Sequence, residues 1–461
     1  MKYLSAAFLV LLSNSVPVLA GEVASVKGGA PTVTSAVEKG SGPATLARML
    51  AQYEADPTSI STSSIDAVAG QYGAVWSRLF WHTNLEDAKI TARSEGKPIL
   101  YLRMMGKLTD EYSCANSRFF RTVLYTNAAV SKLLREKFVL VWESERPVPV
   151  ITVDYGDGRV LKRTITGNSI HYVLNANGRI VDALPGLYDP VAFARIVSEA
   201  GEVARSGTEN QIRFYMSDAG AALNAAFAAD MKTARFENNE ISKFIPGTTT
   251  AANAMANTAT KRSVEGPLLR AALPPEVNAA PPARTAMGRA FSKGGVESPL
   301  VAATVPARPL ARDAMGSSAT KSMVEHPLLN AAADADIADA DGASIWGRLA
   351  AIHKDDARLD ANSIALIRSQ NAGLDESKLA ATIAGFETSL AIDTARNNYE
   401  FRPHVLQWLM QTSQLVTPRD LNERVYGELF LTPRSDPWLG LAPENTYTAL
   451  TNEGCSLASR P

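Results

Sequence analysis

Chemistry in this chain begins with one sulfur. Cys114 follows an apolar run, Ile99–Leu102, by a loop and precedes a helical pattern that opens near Phe119. A thiol at a helix N-terminus sits in the positive end of the helix dipole, which favours thiolate. Only the thiolate attacks a disulfide, so this placement suits thiol–disulfide exchange. The second cysteine, Cys455, lies near the C-terminus in Gly454-Cys455-Ser456. It is a candidate disulfide partner or distant resolving thiol for Cys114. His171 falls two residues after Ser169 in a strand pattern, within conceivable reach of Cys114. His82 sits beside Phe80 and Trp81 and reads as packing; His326, His353 and His404 have no partner pattern. Four readings of Cys114 stay open: a monothiol exchanger or isomerase, a pair with Cys455, a relic thiol on a binding domain, or a buried core residue.

Other chemistries find little support. Five His and two Cys are too few for a multi-cysteine zinc module. Asp334, Asp336, Asp339 and Asp341-Gly342 form an acidic cluster, but Ile337 breaks the alternation a calcium loop needs. Gly156-Asp157-Gly158 reads as a turn rather than a dinucleotide fingerprint, and no phosphate loop, Ser-His-Asp spacing or paired carboxylate motif stands out. The reading therefore includes no cofactor and no metal.

Several elements must position Cys114. Asn84 ahead of Leu85-Glu86-Asp87-Ala88 is a helix cap with acids in the first turn, and Gly96-Lys97-Pro98 ends that helix. Ile99–Leu102 and Phe138–Trp142 are short apolar runs of buried-strand type. Between them, Phe119, Phe120, Val123 and Leu124, then Val130, Leu133 and Leu134, recur at helical spacing. Asp157-Gly158 and Asn177-Gly178 each sit between strand-like runs and suit tight two-residue hairpin turns. Pro190–Ala200, with Phe193 and Ile196 on one face, closes an α/β sandwich.

The rest of the chain is less uniform. The 461 residues carry 46 Lys+Arg against 47 Asp+Glu, a net charge of -1, so no cationic excess is available to neutralise nucleic-acid phosphates. This length suggests about three units at roughly 150 residues each. Met1-Lys2, the apolar run Leu4–Leu12 and the small residues ending at Ala20 read as a secretory signal peptide over 1–20. The apolar run is shorter than the ~20 residues of a membrane span, and no later segment reaches that length. Export makes disulfide chemistry permissible. Residues 21–70 read as linker with one helix near Ala44–Glu54, and 201–245 as a weakly patterned helical extension. Residues 246–343 are Ala-, Pro-, Thr- and Ser-rich and read as a largely disordered linker. Within it, Val-Glu-x-Pro-Leu recurs at Val264–Leu268, Val296–Leu300 and Val324–Leu328. The unequal intervals exclude a solenoid; the copies are either duplicated linker or a multivalent partner motif across 255–330, anchored by Leu268, Leu300 and Leu328. Residues 344–461 recover helical patterning, with Thr417-Pro418 as a cap and first helical position. These helices form a small domain of their own or pack back on the α/β unit.

Residues 84–200 resemble the thioredoxin-like family, and within it the C-terminal domain of bacterial thiol:disulfide interchange proteins. The resemblance rests on Ala88-Lys89 with Gly96-Lys97-Pro98-Ile99-Leu100, then Cys114, then Phe119, Val123, Asn127 and Val130, then Leu134 and Phe138-Val139, and then Tyr172-Val173-Leu174 with Asn177-Gly178 and Gly186. It implies a thioredoxin-like α/β domain over 71–200 with Cys114 as nucleophile. The family's Cys-x-x-Cys becomes Cys114-Ala115-Asn116-Ser117, so the resolving cysteine is replaced by Ser117, whose hydroxyl is placed to bond the thiolate. The aromatic residue usual before the first cysteine is replaced by Ser113, with Tyr112 ahead of it. The family's cis-proline site, opposite the thiol, is occupied by Ile170, where a trans peptide is expected because a non-proline cis bond costs ~2.5–4 kcal/mol. Tyr112, Ile170 and His171 then form the active-site face. The implied activity is monothiol exchange on protein thiols and disulfides, or redox-linked binding, in the periplasm or outside the cell. The alternative is a non-catalytic interaction protein with a degenerate fold that holds partners through this face and the repeats.

Overall fold

The computed structural model describes residues 42–164, 167–236, 345–411, 416–430 and 432–435. The chain separates into Met1–Gly40 and Ser41–Pro461, and every described residue belongs to the second unit. The signal-peptide reading, the 255–330 repeats, the acidic cluster and Cys455 lie outside the described residues.

Local signals place the first elements. α1 (Pro43–Ala55) covers the helix read at Ala44–Glu54. α2 (Thr62–Ala69) and the single turn α3 (Ala74–Ser77) follow it. Leu46, Leu50, Ile65, Ala69 and Ala74 give these three helices a small core of their own, in a stretch whose Gly/Ser/Thr content suggests mostly linker. α4 (Leu85–Glu95) starts where Asn84 accepts from the amides of Glu86 and Asp87, and ends at Gly96 in the left-handed region (φ +64°).

β1 (Ile99–Met105) is one of the two inner strands of the main sheet. The chain then crosses through α5 (Ala115–Phe119), a π-helical segment (Phe120–Leu124) and α6 (Ala128–Lys137) to β2 (Val139–Arg146), which pairs with β1 in parallel. β3 (Val150–Asp154) and β4 (Val160–Thr164) form a separate antiparallel hairpin. β5 (Ser169–Leu174) returns antiparallel to β1, and β6 (Ile180–Pro185) antiparallel to β5. The result is a mixed four-stranded sheet in the order β2-β1-β5-β6, covered by α7 (Pro190–Ser206) and α8 (Glu209–Thr233). Both hairpin turns are longer than the two residues expected. A type I′ turn needs positive φ at both central residues, and of the Asn177-Gly178 pair only Gly178 has it (φ +87°). The Asn175 side chain closes that turn instead, accepting from the amides of Asn177 and Arg179.

The register divides the sheet residues between two faces. Leu102 and Met104 stand opposite His171 and Ser169, and this face meets α5 and the π segment. Tyr101 and Arg103 stand on the other face with Glu143, Glu145 and Tyr172. There they meet α13 (Pro418–Arg424) and the turn after it: Asn422 bonds Glu145 and Tyr172, and the Tyr426 hydroxyl donates to the Asn168 carbonyl.

α9 (Ile345–Ile352), α10 (Ala361–Gln370), α11 (Glu376–Arg396) and α12 (Arg402–Gln411) complete the C-terminal part. They share one hydrophobic core with the sheet. Ser363 donates to the Val123 carbonyl, Asp360 accepts from the Ala128 amide, and Asn397 donates to the Leu187 carbonyl. Of the two arrangements left open for these helices, packing back on the α/β unit is the one observed. No helix among the described residues is long and apolar enough to cross a membrane.

Candidate functional site

β1 delivers the chain to the site. It ends at Met105, and Gly106 (φ +76°) turns it; a Cβ there would stand 2.9 Å from the Ser113 Oγ. The loop then runs to Cys114, which is the N-cap of α5. Its Sγ accepts from the Ser117 amide at 3.4 Å. The helix thus starts at Ala115, four residues before the Phe119 at which the sequence pattern opens, and the thiol takes the capping role that Ser or Asp usually fills.

The thiol is also sealed, with Cys114 0% exposed. Gly167 lies against it: a Cβ on Gly167 would stand 2.9 Å from the Cys114 Cβ and 3.2 Å from Sγ. The end of β4 fastens the loop beside it, because the Thr164 hydroxyl donates to the Ser113 carbonyl and accepts from Arg118.

Around the sulfur the polar groups are unusual. Asn116 donates through Nδ2 to the Ser169 Oγ at 2.7 Å, but its Oδ1 is buried with no hydrogen-bond partner among the described residues. The hydroxyls of Ser113 and Ser117 are in the same condition. Ser117 thus meets the sulfur through its amide rather than its hydroxyl. Arg121, two turns beyond Cys114, donates to the carbonyls of Ser117 and Glu111 and stacks its guanidinium 4.9 Å from the Tyr72 ring centroid. Burial pushes Arg121 down to about 10, opposed most strongly by its charge interaction with Cys114 and then by that with Tyr72. A cation held close to the sulfur favours its ionised form.

The residues read as the active-site face are not gathered here. Tyr112 is on the surface, 78% exposed. Ile170 is fully buried in β5, opposite Arg103 and Pro185, and no cis peptide occurs among the described residues. The residue against the sulfur is Gly167, which precedes the strand, so the position opposite the thiol is displaced from Ile170. His171 is buried on a central strand, and its Nε2 meets the Tyr125 hydroxyl at 2.7 Å. Its ring packs edge-on to Phe120 and Phe193, and burial pushes it down to about 3. It is a neutral core residue committed to Tyr125. Arg121 was detectable in principle: it follows Cys114 by seven residues, which returns it to the same helical face.

No group of three or more His, Cys, Asp or Glu among the described residues is arranged to hold a metal ion. Comparison with family models, curated proteins and solved structures gave no match for the chain. The chemistry of the site therefore rests on its own geometry.

Proposed function

We propose that residues 71–200 are a thioredoxin-like domain of an exported protein, periplasmic or secreted, and that Cys114 performs monothiol thiol–disulfide exchange on protein substrates. The order β2-β1-β5-β6, with a parallel crossover that leaves β1 through Cys114 and an antiparallel β5–β6 return, supports the fold reading. The observation that carries the chemistry is the Cys114 sulfur at a helix start, bonded by the Ser117 amide and charge-coupled to buried Arg121.

In this reading the thiolate attacks one sulfur of a substrate disulfide. A new bond forms to the Cys114 sulfur, the substrate S–S bond breaks, and the second substrate sulfur leaves as thiolate and takes a proton. Ser117 supplies no resolving thiol, so an external thiol must attack the mixed disulfide and regenerate Cys114. The exchange is redox-neutral overall. Because the thiol is sealed, the cover at Gly167 and Thr164 must move before substrate reaches it.

That same burial favours a second reading, in which the domain is a non-catalytic interaction module and Cys114 is packing. Alkylation separates the two. The exchanger's thiol reacts with iodoacetamide at pH 6–7 well before a free thiol of pKa ~8.5 would, and Cys114→Ser abolishes reduction of a small-molecule disulfide by the chain with glutathione as donor. Cys114 reacting only under unfolding conditions, with no change in disulfide reduction in Cys114→Ser, overturns the exchange reading and leaves the interaction module.

A further inference from the structure

A second feature lies at the opposite end of the sheet from Cys114. A groove of about 330 Å³ opens between α1, the Arg78–His82 segment, the end of α4 and the start of β2. Its size is within the range of small-molecule sites, roughly 300–1,000 Å³. Leu46, Leu50, Phe80, Leu134, Phe138 and Leu140 form its apolar lining. The charged residues of the lining are Arg78, Lys97, Arg135 and Glu95.

The charges do not cancel. Lys97 pairs with Glu95 at 2.9 Å, and Arg78 pairs with Glu54 of α1. Arg135 donates its Nε to the Ser131 carbonyl, and no carboxylate among the described residues pairs with it. His82 adds no charge, since burial lowers its pKa. The groove is thus apolar inside and cationic at its edge.

Arg78 lies in the left-handed region (φ +60°) as the C-cap of α3, where its amide donates to the Ala74 carbonyl.

We propose that this groove binds an amphipathic monoanion, an unbranched aliphatic carboxylate of medium chain length. The chain lies on the leucine and phenylalanine lining, and the carboxylate is taken by Arg135, the lining cation that no described carboxylate already holds. Arginine suits this because its planar donor fork matches a carboxylate.

Calorimetric titration of the full chain with decanoate tests it, with decylamine and decan-1-ol as comparators. Decanoate saturates one site, and both comparators bind at least about tenfold more weakly. Arg135→Gln, on an exposed side chain, weakens decanoate by roughly tenfold or more. Cys114→Ser leaves decanoate binding unchanged. No saturable decanoate binding, equal binding of the alcohol, or an Arg135→Gln variant with unaltered affinity each overturns the proposal.

Discussion

Two buried polar clusters in this molecule are built on opposite plans. On β6, Asp182 is fully enclosed, yet both its oxygens are used. Arg402 donates to Oδ1 at 3.1 Å and again to Oδ2, Tyr215 donates to Oδ2 at 2.7 Å, and the Ala183 amide donates to Oδ1. Burial lowers the pKa of Arg402, and Asp182 more than offsets that, so it is raised overall. The cluster ties α12 and α8 to the sheet edge. Beside Cys114, by contrast, the oxygens of Ser113, Asn116 and Ser117 are enclosed with no hydrogen-bond partner among the described residues. A satisfied cluster specifies packing; buried polar groups left over cost stability and persist where they serve something else. The first region reads as a fastener, the second as a site.

The largest expected effect tests the fastener. Arg402→Met leaves the Asp182 carboxylate buried without its countercharge, which costs about 3–5 kcal/mol. Replacing both partners with apolar residues, Asp182→Leu with Arg402→Met, removes the stranded charge and returns a large part of that loss. Urea unfolding midpoints at constant slope measure both. A single variant within about 1 kcal/mol of the parent would mean that Asp182 is solvated and the contrast between the regions is false.

His171 is the intermediate case, with Nε2 bonded to Tyr125 and Nδ1 buried without a partner. Burial pushes it from 6.5 down to about 3 in the folded chain. As pH falls below 6.5 the unfolded chain takes up a proton that the folded chain refuses, so stability falls. The loss from this group amounts to about 1.4 kcal/mol by pH 5.5 relative to pH 8. It continues until the folded form also protonates near the lower value. His171→Leu removes this component, so the difference between the two chains' unfolding free energies should narrow or widen by that amount over the same interval. Parallel pH profiles would show that His171 takes up its proton equally in the folded and unfolded chains, and so is not shifted by burial.

The same residues show how far sequence reading reaches. Caps and strands are local events, so the helix at Asn84, the strand at Ile99 and the cap at Thr417-Pro418 were all legible. The position of Cys114 at a helix start was legible for the same reason. Depth was not. Alternation along β5 says which residues share a face with Ser169, but not that β5 is central and that Phe120 and Tyr125 close over His171. Asp182 and Arg402 lie 220 residues apart, and neither carries a local pattern that points to the other. Gly167 has no side chain to signal its place against the sulfur, and a turn glycine and a packing glycine are indistinguishable in one sequence.

The smallest expected effect tests the site. If the Ser117 hydroxyl has no bond in the folded chain, its removal costs nothing, and Ser117→Ala should lie within about 0.5 kcal/mol of the parent or be more stable, because a buried unsatisfied group is relieved. Asn116→Ala, which also breaks the Asn116–Ser169 bond, should cost about 1 kcal/mol by the same measurement. The pair matters more than either value. Equal losses would mean that the Ser117 hydroxyl is bonded after all, and the pocket around Cys114 would then be a packed and satisfied region like that around Asp182. A neutral Ser117→Ala with altered Cys114 alkylation would instead show that the hydroxyl acts on the sulfur rather than on the fold.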